Sequence, residues 1–387
     1  MAGWNKIESV FSNEKKGLII LSFLWFFTQV VVYLLFGIKE SVDSIMYIND
    51  SQLILDGGFP SGRNLWYSSY SIIIALLRFF GGDAIEVIYI QLVFSYTAFI
   101  CLYKLTLSIS KSNQSAFIAA FLYIVWIKIH QWNLILYTDS LFASLSIIGI
   151  TLLHFSKNWK SYFLSLLVLI FTILIRPTGV GILIALIGYF SYSITYLKEF
   201  TRLSKIVIIG LLSIGAFFLV NVILLHHIDS FFNSYANAEI IYPNIPFLIS
   251  QPSNLEYLDS HYPPLFRLIM FVVYNPIYFM KLSLVKGILF IANMKPYFSV
   301  LHNIVIGLFL YPIYYFMIKG LKVLPKNSTS VFLICFILSQ FMIVSLTSEN
   351  WDGRFLIPVL PFVFVISSLG ITDFVNSKKS NLTNFLY

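Results

Sequence analysis

Long runs of hydrophobic residues alternate with short polar connections along most of the chain. Each run has roughly 17 to 22 residues, which is the length that a helix needs to cross the apolar core of a bilayer. The first run is long enough for a permanent span rather than for a cleaved signal peptide. The pattern therefore predicts an all-α polytopic membrane protein of about ten spans. They fall at residues 18–37, 85–105, 114–131, 137–155, 161–175, 177–197, 204–225, 299–319, 330–347 and 355–374.

Composition agrees with this fold class. Hydrophobic residues make up 58% of the chain and charged residues only 11%, and the mean hydropathy is +0.84. A soluble core of this length could not bury so much apolar surface. The two cysteines, Cys101 and Cys335, both lie within apolar runs, so no disulfide framework is predicted.

The basic residues predict the orientation of the spans. With the N-terminus in the cytoplasm, 15 of the 25 basic residues lie inside and 13 of the 17 acidic residues lie outside. Cytoplasmic loops of membrane proteins carry an excess of Lys and Arg. We therefore expect both termini to be cytoplasmic, in the plasma or inner membrane. This distribution accounts for the net charge of +8 without a nucleic-acid partner.

Two long segments, 38–84 and 226–298, are predicted to lie on the external face. Each contains an apolar stretch, 65–80 or 265–292, that charged residues interrupt and aromatic residues flank. Such stretches suit helices that lie in the membrane interface. The chain is thus predicted to form a single membrane-embedded domain. Its parts are the first seven spans with the first loop (17–225), the second loop (226–298) and the last three spans (299–374).

The external face carries an ordered set of motifs. The first loop contains Asp43, Tyr47, Gly57-Gly58, the aromatic stretch Trp66 to Tyr70, and Phe80-Gly81. Later connections add Tyr137-Thr138-Asp139, Arg176-Pro177-Thr178-Gly179 and Arg354 followed by Pro358 and Pro361. This order resembles the GT-C superfamily of polyprenyl-phosphate-sugar-dependent glycosyltransferases, which includes the protein O-mannosyltransferase and aminoarabinose transferase families.

The resemblance implies a GT-C-like helix bundle and an inverting hexosyl- or pentosyltransferase. Its donor would be a polyprenyl-phosphate sugar, and its acceptor a glycan, lipid or protein on the external (periplasmic) face. Surface polysaccharide or glycolipid synthesis would be the setting. Such transfer needs a carboxylate that takes the acceptor proton and fixed positive charge on the departing phosphate. Asp43 is the expected general base, and Asp139 is the second catalytic candidate.

The remaining candidates would bind substrate. Arg176 and Arg354 suit the donor phosphate because the planar guanidinium binds phosphate oxygens with two parallel hydrogen bonds. Tyr47, Arg63, Tyr70 and Lys286 are the further substrate-binding candidates. Structural roles remain open for several of these residues: both aspartates could cap helices, and both arginines could anchor spans at the interface.

Other acidic and metal-binding signals are weaker. Asp50 is interpreted as part of a solvated helix face, and Asp56, before Gly57-Gly58, as a turn residue. No paired Asp-x-Asp motif occurs, so no essential metal or other cofactor is predicted, although some GT-C enzymes use a divalent ion. Two alternative functions stay open: an O-antigen polymerase or ligase that depends on external arginines, and a polysaccharide or lipid transporter (flippase).

Overall fold

A computed structural model describes residues 13–196, 201–242 and 249–385, and most of them are helical. The longest helices are α1 (Glu14–Phe36), α4 (Val87–Ser110), α10 (Arg202–Leu225), α14 (Val300–Val323) and α16 (Leu360–Phe385). Helices of intermediate length are α7 (Thr138–Phe155), α8 (Trp159–Ile173), α9 (Val180–Tyr196), α13 (Pro276–Ala292) and α15 (Ser328–Leu346). Shorter ones are α2 (Ser44–Leu55), α3 (Ser68–Phe79), α5 (Asn113–Val125), α6 (Ile127–Gln131), α11 (Ile228–Ala236) and α12 (Pro264–Tyr274).

Extended structure among the described residues is limited to four two-residue strands. These are β1 (Lys39–Glu40), β2 (Ile135–Leu136), β3 (Ile241–Tyr242) and β4 (Glu349–Asn350). Strand β1 pairs in parallel with β2, and β3 with β4. Each pair joins two connections that are far apart in the sequence.

The polytopic all-α fold predicted from the sequence is confirmed. In the part of the chain that the structure describes, eight helical segments are long and apolar enough to cross a membrane. They are Glu14–Phe36, Ala84–Ser110, Thr138–Phe155, Pro177–Thr195, Leu203–Val222, Val300–Val323, Ser328–Leu346 and Leu360–Lys378. Two bent helix pairs would raise the number to ten if each pair is one span.

The first bent pair replaces the predicted continuous span 114–131. The chain bends by 58° between α5 and α6. Trp126, which lies between the two helices, has a backbone ψ of 82°, outside the helical region. The second pair, α12 and α13, bends by 105° at Asn275-Pro276. A proline disfavours helical backbone in the residue before it, which explains this break. It divides the predicted interfacial stretch 265–292, and the interfacial placement itself stays a prediction.

The predicted span 161–175 corresponds to α8, which has only 15 residues. At 1.5 Å per residue such a helix is about 22 Å long, shorter than the ~30 Å apolar core of a typical bilayer. It nevertheless links both ends of the bundle. At one end of the bundle, the connection that leads into α8 follows His154, which bonds Ser108 and Thr329. At the other end, α8 stops just before Arg176, which bonds Asp139.

The connections predicted to be external meet at one end of the bundle. Strand pairing joins the first loop to the connection before α7, and the second loop to the connection after α15. The backbone N–H of Ser69 also donates to the carbonyl of Leu174, at 3.1 Å. We call this end the site end. The alternation of spans predicts that these connections lie on one side of the membrane, and which side this end faces stays a prediction.

Helix α7 lies at the centre of the bundle, and 83% of it is buried inside the protein. It packs against α4 and α8, and small residues allow close approach between helices. A Cβ atom at Gly149 would lie only 2.5 Å from Leu169. Helices α14 and α16 approach as closely, because a Cβ at Gly320 would lie 1.9 Å from the carbonyl oxygen of Ile366. Asp139 is thus carried by the most buried of the candidate spans in the described part of the chain.

Candidate active site at one end of the bundle

Asp43 lies in the turn between β1 and α2. Its position is fixed locally, because the neighbouring Ser44 hydroxyl donates to the carbonyl of Leu136 at 2.8 Å. The pairing of β1 with β2 holds the same two segments together. The first loop and the start of α7 therefore form one unit at the site end.

The carboxylate of Asp43 is exposed and does not cap α2. Asp43 occupies the N-cap position, but its side chain makes no capping hydrogen bond. The hydroxyl of Tyr137 instead donates to Oδ2 of Asp43. Burial raises the pKa of the Tyr137 hydroxyl, and the bond to Asp43 acts in the same direction. Tyr137 is therefore a protonated donor.

Asp139 lies in the first turn of α7 and is completely buried. Its Oδ1 accepts a hydrogen bond from Arg176, which is itself 4% exposed. A second guanidinium, that of Arg354, lies 4.0 Å from Oδ2 of Asp139. Asp139 is therefore not only a favourable charge at a helix N-terminus. It also lies next to two arginines that come from distant connections.

The two arginines differ in how fully they are engaged. Arg176 is enclosed by the rings of Phe142 and Phe355, at 5.5 and 5.2 Å from the guanidinium carbon. Arg354 lies 4.4 Å from the ring of Tyr137, and its Nε has no hydrogen-bond partner. Burial alone would lower the pKa of Arg354, but the charge of Asp139 and the interactions with Tyr137 together outweigh burial, and the pKa is raised. Arg354 is permanently charged and has unused donors.

The tyrosine candidates of the first loop lie behind Asp43 in the core. Tyr47 is fully buried, its hydroxyl has no partner, and its ring contacts those of Tyr67, Tyr70 and Tyr137 within 5.8 Å. Tyr70 is also fully buried, and its hydroxyl donates to Gln91 at 2.9 Å. The ring of Tyr47 therefore packs against Tyr137, and the ring of Tyr70 packs against Tyr47.

The two remaining binding candidates lie elsewhere. Arg63 is exposed on the first loop near His227, where burial lowers the pKa of the histidine and the charge of Arg63 acts in the same direction. Lys286 is fully buried on α13, where its ammonium donates to Ser234 and to the carbonyl of Thr347. The structure therefore does not bring either residue into contact with Asp43 or Asp139.

A buried polar network supports the segment that precedes α7. Asn133 donates to Gln29 at 3.1 Å and to Ser95 at 3.0 Å, and it accepts from Ser140 at 2.6 Å. His130 bonds Gln29 through Nδ1 at 2.9 Å. Fully partnered polar networks of this kind fix a single arrangement of the chain. This one ties α1, α4 and α7 together beneath Tyr137 and Asp139.

Two ion pairs hold the connection that carries Arg354. Glu349 pairs with Lys295 at 3.3 Å, and both side chains are almost completely buried. Asp352 pairs with Lys128 at 3.1 Å. Burial raises the pKa of Glu349 and lowers that of Lys295, whereas their mutual attraction opposes both shifts. The sequence analysis missed these residues because their only sequence signal is a charge at the end of an apolar run.

The interpretation of Asp50 as a solvated residue was wrong. Asp50 is only 7% exposed, since it lies on the same face of α2 as the buried Tyr47. Its Oδ1 accepts from Asn64 at 3.1 Å, and burial raises its pKa. Asp56 does end α2 at a turn, before Gly57 with a φ of +84°, as predicted.

His, Cys, Asp and Glu side chains are the usual ligands of metal ions in proteins. Within the described ranges, no group of three or more His, Cys, Asp or Glu side chains is placed to hold a metal ion. The independence from metal inferred from the sequence stays a prediction.

Comparison with known proteins adds no identification. No model of a known protein family matches the chain, and no curated protein matches it either. The function is therefore inferred from the geometry at the site end together with the motif resemblance.

Proposed function

We propose that this protein transfers a sugar from a polyprenyl-phosphate donor to an acceptor hydroxyl at the site end of the bundle. The observation that carries the proposal is the convergence of an exposed carboxylate, Asp43, with the partly unpaired guanidinium of Arg354. Tyr137 contacts both groups. In this proposal the carboxylate acts as the base, and the guanidinium binds the phosphate of the donor.

In this reaction, the acceptor oxygen attacks the anomeric carbon while its proton passes to Asp43. The new bond to the acceptor forms as the bond from the anomeric carbon to the phosphate oxygen breaks. The configuration inverts, and polyprenyl phosphate leaves with the bonding electrons. Asp43 suits the role of base because it is exposed and is not used as a helix cap.

Arg354 is the better candidate of the two arginines for the departing phosphate. Arg176 is enclosed by aromatic rings and is bonded to Asp139, so its role would be to hold Asp139 in place. Arg354 has an unpartnered Nε, and its contact with Asp139 is 4.0 Å long. A phosphate oxygen could therefore accept from the Nε–H of Arg354 without breaking an existing hydrogen bond.

The membrane setting fits a lipid-borne donor. Both charged groups lie in connections next to the ends of candidate spans. The polyprenyl chain could remain among the apolar helices while its phosphate reaches the site end. We propose that this end faces the outside of the cell, as the distribution of Lys and Arg predicts.

The test is transfer by membranes that contain the protein, supplied with radiolabelled polyprenyl-phosphate sugars or with nucleotide sugars. A positioned base contributes typically 10²- to 10⁴-fold, so Asp43→Asn should lower turnover by roughly that factor. Asp56→Asn is the matched control, because Asp56 forms only an exposed contact with Gln52. It should retain normal turnover.

Two results would overturn the proposal. One is transfer from a nucleotide sugar alone, which would remove the lipid donor. The other is near-normal turnover by Asp43→Asn at matched abundance in the membrane. If activity on diphosphate-linked oligosaccharides then depended on Arg354 but not on Asp43, the polymerase or ligase alternative would be favoured.

A further inference from the structure

The side chain of Tyr137 touches both charged groups of the proposed site. Its hydroxyl donates to Oδ2 of Asp43, and its ring lies 4.4 Å from the guanidinium carbon of Arg354. In the described part of the chain, Tyr137 is the only side chain bonded to the carboxylate of Asp43. Tyr137 was quoted in the sequence motif only as a neighbour of Asp139.

We propose that Tyr137 is a positioning residue, which orients the carboxylate of Asp43 by donating its hydroxyl proton to Oδ2 and so directs Oδ1 toward the acceptor. The proposal rests on the transferase function proposed above. It concerns orientation and not proton transfer, because Tyr137 keeps its proton throughout. Without this bond, the exposed side chain of Asp43 would be free to rotate.

The hydroxyl of Tyr137 is well placed for this role because its ring is held on several sides. The ring contacts Tyr47 at 5.8 Å and Trp132 at 5.5 Å between centroids. Its backbone is extended, directly after β2, and the residue is 5% exposed. The donor is therefore in place before any substrate binds, which is the arrangement that lowers the cost of orienting a catalytic group.

The groups around the Asp43–Tyr137 bond are also defined. Arg354 lies over the Tyr137 ring, Asp139 is two residues along the chain, and the ring of the buried Tyr47 lies 5.8 Å from that of Tyr137. One aromatic ring thus sets the position of the base relative to the phosphate ligand. Asp43, Tyr137 and Arg354 come from three connections that are far apart in the sequence.

A purely structural role for Tyr137 is the competing explanation. The variant Tyr137→Phe separates the two, because it removes the hydroxyl and keeps the ring beside Arg354. A hydrogen bond to a charged group is worth roughly a 10- to 100-fold effect. We therefore expect kcat to fall by about that factor, whereas KM for the donor should change by less than about threefold.

The double variant gives a second, independent readout. If Tyr137 acts only through Asp43, Tyr137→Phe should cost less than about twofold in an Asp43→Asn background. Incorporation of para-aminophenylalanine at position 137 restores an N–H donor and should recover most of the lost kcat. Tyr123→Phe is the matched control, since it also removes a hydroxyl from a buried tyrosine. Its effect should be additive with that of Asp43→Asn.

The outcomes distinguish this inference from the proposed function. If Asp43→Asn is impaired but Tyr137→Phe loses less than about threefold in kcat, the positioning role is rejected and the transferase stands. Full additivity of the two substitutions would reject it as well. If Asp43→Asn is near normal, the proposed base and the role of Tyr137 both fall. If Tyr137→Phe does not accumulate in membranes, failure of the para-aminophenylalanine variant to transfer sugar would overturn the inference.

Discussion

Arg354 and Arg176 offer a sharp test of which cation meets the donor phosphate. The same substitution, Arg→Lys, can be made at both positions. It preserves the positive charge but removes the planar fork that binds two phosphate oxygens at once. We expect Arg354→Lys to impair use of the donor and Arg176→Lys to affect mainly the stability of the fold.

The structure sets the expected magnitudes. The Nε of Arg354 has no hydrogen-bond partner, so its N–H group remains for phosphate. Loss of one charge-assisted hydrogen bond costs about 1.5–3 kcal/mol, or roughly 10- to 100-fold in kcat/KM. Arg176 is bonded to Asp139 and buried, so Arg176→Lys should change kcat/KM by less than about fivefold.

The assay is the initial rate of transfer in proteoliposomes over a range of donor concentrations, with thermal unfolding measured on the same preparations. Arg354→Lys should raise KM for the donor, lower kcat, or do both, at an unchanged Tm. Arg176→Lys should lower Tm while retaining most of kcat/KM. The reasoning is refuted if Arg354→Lys transfers sugar like the wild type, or if Arg176→Lys is the more impaired enzyme.

Two further predictions concern the buried charge and the topology. Asp139→Asn leaves Arg176 buried without a carboxylate partner, so it should destabilise the protein by about 3–5 kcal/mol. Its Tm should be clearly lower than that of Asp56→Asn. An unchanged Tm would contradict a structural role for the ion pair. Cysteine introduced at the exposed Ser61 should react with an impermeant thiol reagent from outside intact cells, whereas cysteine at the exposed Lys157 should react only after permeabilisation. Reaction at position 157 in intact cells would contradict the predicted orientation.

The spans were predictable from the sequence because the bilayer imposes a minimum apolar length on each helix. The same rule gave no warning of the break at Trp126. Just after that break, His130 bonds Gln29, a residue 101 positions away that no local pattern connects with it. Local hydrophobicity therefore predicted that a segment is embedded, but not its path.

The candidate site was predictable in part. Motif order singled out Asp43, Asp139, Arg176 and Arg354, and the structure brings the last three into one cluster. The bond from Tyr137 to Asp43 joins residues 94 positions apart, so no local pattern could reveal it. Lys286 was a reasonable candidate as a charge in an apolar stretch.

Lys286 and Asp50 show why single charges are hard to interpret from the sequence. The ammonium of Lys286 is satisfied by Ser234 and Thr347, which tie α13 to its neighbours. Asp50 has a polar neighbourhood in the sequence, yet α2 turns it toward the protein. Whether a charge serves a substrate or the fold depends on its partners, which only the three-dimensional structure supplies.

The contacts of Asp139 have a consequence for biogenesis. Synthesis delivers the N-terminal part of the chain first, so Asp139 and Arg176 enter the membrane long before Arg354. Their ion pair neutralises the buried carboxylate while the last spans are still missing. Arg354 therefore reaches an already compensated aspartate, and its charge is surplus. A nascent chain is thereby spared an isolated ion in the bilayer, and the finished protein carries a cation that its buried carboxylate does not require.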